Sequence, residues 1–189
     1  NNDSRDPNSL GSNDILSITE DQDGYLWIGT TNGLDRFNRT TSTFTHFRRD
    51  TQTPGSLSSN YVYEVFVDSQ NQVWAGTTSG LDLFNRKTGQ FIHYTPQKDD
   101  PNSLSGAQIY SIYEDHTGNL WIGTFESGVN RFDPETGLFT QYRHNPQDKT
   151  SINNDSILGI YQDSKGRLWF GTDGGGLNLY HPETDSFTY

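Results

Sequence analysis

Four copies of one short phrase around a tryptophan constrain the fold of this chain more than any other feature of its sequence. Each tryptophan is followed two positions later by a glycine and then by a threonine, and the spacings between the tryptophans are 47, 47 and 48 residues. The repeated pairs are Trp27 with Gly29, Trp74 with Gly76, Trp121 with Gly123, and Trp169 with Gly171. Repetition at a fixed period of about 20–50 residues indicates tandem copies of one structural unit. We therefore predict four units that fill the chain.

One unit reads as four short strands. Alternating apolar and polar residues predict strands over 15–20, 25–30, 34–37 and 43–47. The turn residues between them are Asp21 to Gly24, then 31–33 and 38–42, and a polar connector over 48–59 leads to the next unit. Because turn signals interrupt every apolar run after a few residues, a helical repeat is excluded.

A four-stranded antiparallel meander at this period is typical of a β-propeller blade. We predict an all-β propeller with four blades, at approximately 11–48, 58–95, 105–143 and 153–189. A single blade cannot bury both of its faces, so large rings should pack between neighbouring blades. The residues expected there are the four tryptophans with Phe37, Phe84, Phe132, Tyr180, Phe44, Phe47, Phe91, Tyr94, Phe139 and Tyr142.

Composition excludes several classes of function. The chain has 24 Asp and Glu against 13 Lys and Arg, a net charge of −11, which argues against binding to nucleic acid or to an anionic membrane. No apolar run approaches the length of a membrane span. With no Cys, thiol catalysis and Cys-ligated zinc are excluded. With no Met either, we expect a processed chain or an excised fragment.

The repeated acids and the scattered histidines predict structure rather than catalysis. Asp21, Asp68, Asp115 and Asp163 each begin a hairpin turn, where an Asp side chain caps backbone N–H groups. The five histidines have no metal-ligand spacing, and we expect His46 and His93 on outer strands at the surface. We predict no catalytic residues, no metal and no cofactor, because no nucleophile elbow or comparable constellation is present.

Departures from the repeat point to a binding site. The turn between the second and third strands has three residues in the first two units and one more in the last two, at 125–128 and 173–176. The residue before the first strand also varies between units. Exposed aromatic, amide and acidic groups suit a sugar, so we predict an oligosaccharide site at this end of the blades. Its residues are Phe125, Glu126, Asp173, Asp14, Tyr61, Gln108 and Ser156.

The phrase E-D-x-x-G-x-L-W-I-G-T-x-x-G-L-x-R-F, at 20–37, resembles the two-component regulator propeller repeat. The resemblance covers nearly the whole chain. It implies an extracytoplasmic, periplasmic or secreted, bacterial module that recognises or scaffolds, does not catalyse, and belongs to a sensor responding to oligosaccharides. Members of that family usually have seven blades, so a chain with four departs from the pattern.

Three ring arrangements and three functions remain open at this point. The four blades close alone, or two chains form an eight-bladed ring as a homodimer, or further propeller blades complete a larger ring. Besides ligand recognition, the alternatives are an engineered or excised fragment whose only activity is self-assembly, and a propeller lyase or hydrolase.

Overall fold

Sixteen short strands, joined by turns, make up the regular structure of this chain in a computed structural model that describes residues 1–3 and 5–189. The described residues contain no helix, and therefore none that is long and apolar enough to cross a bilayer. The strands form four antiparallel sheets, each a meander of four consecutive strands. Sheet 1 contains β1 Ile15–Glu20, β2 Tyr25–Thr30, β3 Gly33–Asn38 and β4 Thr43–Phe47; sheet 2 contains β5 Val62–Val67, β6 Val73–Thr77, β7 Leu81–Asn85 and β8 Gln90–Tyr94; sheet 3 contains β9 Ile109–Glu114, β10 Leu120–Thr124, β11 Val129–Asp133 and β12 Leu138–Tyr142; sheet 4 contains β13 Ile157–Gln162, β14 Leu168–Thr172, β15 Gly176–His181 and β16 Ser186–Thr188.

The meander confirms the prediction of four blades, each with four antiparallel strands. In sheet 1 the strands coincide with the predicted ones, except that β3 is one residue longer at each end. The turns before β2 and β3 use Gly24 and Gly33 with φ of 81° and 104°, a region in which glycine carries no steric penalty. Turns lie at both ends of each sheet. The end with the connectors and with the turn between the second and third strands is called the top, and the opposite end is called the bottom.

The chain divides into two compact units, residues 1–94 with sheets 1 and 2, and residues 95–189 with sheets 3 and 4. In the first unit the core lies between the two sheets. Trp27 is fully buried, and its ring centroid lies 5.0 Å from that of Phe84. A Cβ on Gly29 would lie 3.0 Å from the carbonyl oxygen of Val62, so the conserved spacing of Trp and Gly lets the sheets approach closely.

The second unit repeats this core. Trp121 packs on Tyr180 and Phe170, with ring centroids 4.8 and 5.3 Å apart. Phe187 and Ile157 complete the cluster and are almost fully buried. The predicted packing of Trp and of third- and fourth-strand rings between neighbouring sheets is thus confirmed inside each unit.

The prediction is wrong for three of the rings. Trp169, Phe37 and Phe44 are half-buried, and each lies on the face of its sheet that points away from the other sheet of its unit. The neighbouring side chains on these faces are exposed, with Ile18 at 58% on sheet 1 and Leu177 at 57% on sheet 4.

The connectors are fastened to the sheets that they precede. The N–H groups of Phe91 and Phe187 on the fourth strands donate to the carbonyls of Gly55 and Thr150, each at 2.7 Å. The apolar residues Leu57, Leu104 and Ile152 of the connectors are buried. The connectors of sheets 2 and 4 are consequently bonded to the outer edges of the fourth strands.

Candidate functional site

At the bottom end, each repeated aspartate combines two structural tasks. The Oδ1 atom of Asp21 accepts hydrogen bonds from the backbone N–H groups of Asp23 and Tyr25, which confirms the predicted turn cap. Its Oδ2 atom accepts the indole N–H of Trp27 at 2.8 Å. The same indole bond joins Asp68 to Trp74, Asp115 to Trp121 and Asp163 to Trp169.

The charge of Asp21 is maintained by its donors. Burial alone raises the pKa of Asp21, but bonds from Trp27, from the Tyr25 N–H and from Arg86 outweigh it and hold the pKa below its usual value. The Arg86 guanidinium lies 2.9 Å from Asp21 Oδ2 and 3.0 Å from Asp23 Oδ2. Asp21 is therefore a structural anion rather than a proton donor.

The longer turns of the second unit come together at the top end through one serine. Ser156 accepts the N–H of Asp173 on its carbonyl at 2.9 Å and the N–H of Glu126 on its hydroxyl at 3.1 Å. The carboxylates of Glu126 and Asp173 are both exposed. The extra residue in each turn is visible in the bonds from Thr124 Oγ1 and Thr172 Oγ1, which reach the carbonyl four residues ahead instead of three.

Aromatic and amide groups flank these acids. The ring of Phe125 packs on Tyr110 with centroids 5.3 Å apart, and the N–H of Phe125 donates to the carbonyl of the exposed Gln108. Glu126 has a φ of 58°, so the turn holds it in the left-handed region. The structure thus brings five of the predicted site residues together in the second unit, although Ser156 is buried and acts through its hydrogen bonds.

The other two predicted site residues, Asp14 and Tyr61, lie in the first unit. Both are exposed at the top of their own sheets, and their carbonyls accept the N–H groups of Thr31 and Thr78. The Tyr61 ring packs on Tyr63 at 4.7 Å. They therefore form separate surface features on sheets 1 and 2.

A set of buried polar residues in the third strands was not among the predicted site residues. Asp35, Asp82, Asn130 and Asn178 are all completely buried, and each accepts a backbone N–H from the preceding connector. Because these residues recur at one position of the repeat, the sequence alone could have identified them as a set.

The same residues explain two histidines that were predicted to be surface residues. His46 Nδ1 lies 2.8 Å from Asp35, and His93 Nδ1 lies 2.7 Å from Asp82, so that each partly buried ring is tied to a buried carboxylate. The hydrogen bond that His93 donates to the Asp82 carboxylate raises the pKa of His93. In sheet 3 the corresponding pair is Asn130 and Gln141, two uncharged side chains that bond the connector at Ser105 and Ser103.

Among the described residues, no cluster of three or more His, Cys, Asp or Glu side chains is arranged to hold a metal ion. One further acid has an unusual environment: burial raises the pKa of Glu64 on β5 to about 7, against a hydrogen bond from Ser17 on β1 that lowers it.

Comparison with known proteins gives a consistent picture. The family model described as "Two component regulator propeller" matches residues 9–32, 56–79, 103–126 and 151–174, together just over half of the chain. No curated protein sequence matches significantly. The extracellular domain of the hybrid two component system BT3049 of B. thetaiotaomicron is similar in structure, with a TM-score of 0.69 and 25% identity over 95% of this chain.

Two further similar structures share the fold. Virginiamycin B lyase of Staphylococcus aureus has a TM-score of 0.67 at 19% identity over 93% of this chain and 54% of its own. PorZ of Porphyromonas gingivalis, a surface component of the type-IX secretion system, has a TM-score of 0.66 at 16% identity over 96% of this chain and 27% of its own. The chain spans only 30% of the BT3049 extracellular domain.

Proposed function

The chain belongs to the two-component regulator propeller family, and from this we propose that it is a noncatalytic recognition module of a bacterial extracytoplasmic sensor, with an oligosaccharide as its ligand. The extracellular location of the similar BT3049 domain supports this placement. The observation that carries the proposal is the pair of lengthened turns joined by Ser156 in the second unit.

The chemistry of that surface fits sugars. Exposed carboxylates at Glu126 and Asp173 accept hydrogen bonds from hydroxyl groups, and the Gln108 amide can donate or accept. The Phe125 and Tyr110 rings offer an apolar surface for the C–H face of a pyranose. Since the backbone of both turns is already bonded to Ser156, little ordering is required on binding.

Binding to a printed array of neutral and acidic oligosaccharides tests this proposal. The double variant Glu126→Gln with Asp173→Asn should weaken binding by about tenfold or more, because each change removes a charged acceptor. The matched control is Glu135→Gln, an exposed acid at the bottom end of sheet 3. Absence of binding to every oligosaccharide, or equal binding by the double variant, would reject the site.

Self-assembly is a second role that a separate observation favours. The exposed face of sheet 1 carries Ile18, Phe37 and Phe44. The residues at the same repeat positions in sheet 2 are Val65, Phe84 and Phe91, and these pack around Trp27 inside the first unit. The exposed face of sheet 4 carries Trp169 and Leu177 at the positions of Trp27 and Leu34. The two faces are therefore complementary halves of the interface already present in each unit, and we propose that they join in a homodimer.

Sedimentation velocity at micromolar concentration measures this association. Wild-type protein should sediment at twice the chain mass of 21.4 kDa, and Leu177→Arg should return it to the single mass. Leu138→Arg is the control, because Leu138 is 49% exposed in the same unit but lies on sheet 3 and not on the exposed face of sheet 4. A wild-type mass of 21.4 kDa rejects the dimer.

A further inference from the structure

A cavity of about 550 Å³ lies at the bottom end of the second unit, between sheets 3 and 4. Its wall includes Asp115 with Trp121 from sheet 3, and Leu179 with Pro182 from sheet 4. Cavities of about 300–1,000 Å³ are of the size that small ligands occupy. The cavity is remote from the lengthened turns, which lie at the top end.

The first unit shows what occupies the same place there. Arg86 follows β7 of sheet 2 and extends to the bottom turn of sheet 1, where its guanidinium bonds Asp21 and Asp23. It also donates from Nε to the carbonyl of Asn71 at 2.9 Å and from Nη2 to the Asn71 side chain at 3.2 Å. A guanidinium with four hydrogen bonds thus fills this position in sheets 1 and 2.

In the second unit the residue at the position of Arg86 is Pro182, because Tyr180 and Phe84 occupy equivalent places two residues earlier. Proline has no side chain that reaches the opposite turn. Asp115 keeps its indole bond to Trp121 at 2.7 Å, but its second donor at Oδ2 is Asn119 at 3.3 Å, in place of a guanidinium at 2.9 Å. The aspartate is only half-buried, whereas Asp21 is covered.

The walls of the cavity are nevertheless held together. Gln162 of sheet 4 accepts the N–H of His116 at 3.0 Å and donates to the carbonyl of Gly166 at 2.9 Å. The bond from His116 to Gln162 ties the bottom turn of sheet 3 to sheet 4. In the first unit, the bond from the Gln22 N–H to the Asn71 side chain ties sheets 1 and 2 in the same way. The cavity is consequently preformed without a guanidinium in it, and Asp115 accepts its hydrogen bonds from its own turn, including those of the Thr117 N–H and hydroxyl and the Asn119 N–H.

The charges in and beside the cavity nearly balance. The wall carries the bases Arg131, Arg167 and Lys165 and the acids Asp115 and Glu183. Arg131 and Arg167 pair with Asp185 and Asp163 beside the wall, at 3.6 and 2.7 Å, so that with these partners counted there is one acid more than bases. Thr117 replaces the second acid, Asp23, so the site has one central carboxylate rather than two.

We propose that this cavity is a binding site for a small organic cation that presents a guanidinium or primary ammonium group to Asp115. The ligand takes the place that Arg86 holds in the first unit, with the cation next to the carboxylate and its alkyl chain against Leu179 and Pro182. This cation site is separate from the oligosaccharide surface, and its test does not depend on whether an oligosaccharide binds.

Indole N–H resonances provide a direct test by NMR titration. Butylguanidinium is the probe, and butylurea is its neutral counterpart of similar shape. Because the Trp121 indole donates to the same carboxylate oxygen, its resonance should shift with saturation, while that of Trp27, whose aspartate already has Arg86, should not. Equal shifts with butylurea, equal shifts of both indoles, or no shift at all would overturn the proposal.

Two substitutions exchange the features of the units. Pro182→Arg should refill the cavity and abolish the Trp121 shift, with Pro182→Ala as the control that leaves the cavity open. Arg86→Ala should open the equivalent site, so that the Trp27 resonance now responds to butylguanidinium as well. Persistence of the Trp121 shift in Pro182→Arg contradicts the assignment. The Pro182 variants test the site even where Arg86→Ala fails to fold.

Discussion

Replacement of Asp21 by Asn tests whether the aspartate–indole bond stabilises the sheets by virtue of its burial. Asn retains an oxygen for the N–H groups of Tyr25 and Asp23, but it presents an NH₂ group where Oδ2 accepts from Trp27 and Arg86. The N–H donors of Trp27 and Arg86 then face the NH₂ group of the new Asn, in a site where the Asp21 side chain is fully buried. One buried unsatisfied indole and one lost charged hydrogen bond together cost about 3–5 kcal/mol.

Urea unfolding followed by far-UV circular dichroism measures this loss. For a slope of about 2 kcal/mol per molar, the midpoint of Asp21→Asn should fall by roughly 2 M. The matched variant is Asp163→Asn, whose partner Trp169 is half-buried and whose neighbour Arg167 is 50% exposed, so that water can replace the lost bonds. It should lower the midpoint clearly less. Equal losses for the two variants would refute the reasoning that burial sets the cost.

Three further predictions concern single residues. Glu64→Gln should flatten the decline in unfolding free energy between pH 4.5 and about 7. Because the pKa of Glu64 is raised in the folded state, its contribution to stability is complete below the unfolded-state pKa and is lost as the pH rises through the folded-state pKa. Thermal melts across that range measure the decline, and an unchanged slope in the variant contradicts the prediction. His93→Gln should remove the stability that is lost above pH 6.5 as the ring leaves its bond to Asp82, which melts from pH 6 to 9 would reveal, against Asp82→Asn as the partner variant. Gly128→Ala should lower the melting temperature sharply, since its φ is 81° and a Cβ there would overlap the carbonyl oxygen of Tyr142, whereas Gly137→Ala, with similar φ and open space, should cost less.

The repeat made most of the fold predictable. A phrase that recurs four times fixes the strand order, since each copy must satisfy the same turns and the same packing. Strand bounds in sheet 1 followed from the alternation of apolar and polar residues and from Asp21 to Gly24 as a hairpin turn. The half-buried state of Trp169 was not predictable in this way, because the repeat describes a unit and not which of its faces are covered.

The chemistry of the site was less accessible. The lengthened turns were visible as departures from the repeat, but their connection through Ser156 depends on bonds between residues 30 and 17 positions apart in the sequence. The ties from His46 and His93 to buried aspartates were missed, because spacing alone does not show which strand neighbour lies opposite. The cavity next to Asp115 has Pro182 in its wall where the first unit has Arg86, a difference that only the comparison of two folded units reveals.

The aspartate, the backbone groups that it caps and the indole that it binds lie within seven consecutive residues of each sheet. A gene duplication that copies one repeat therefore copies a complete set of these contacts, with no need for compensating changes elsewhere. Blades can be gained or lost in evolution as whole units, whereas a contact that joins two copies, such as that of Arg86 with Asp21, is free to differ from one pair of blades to the next.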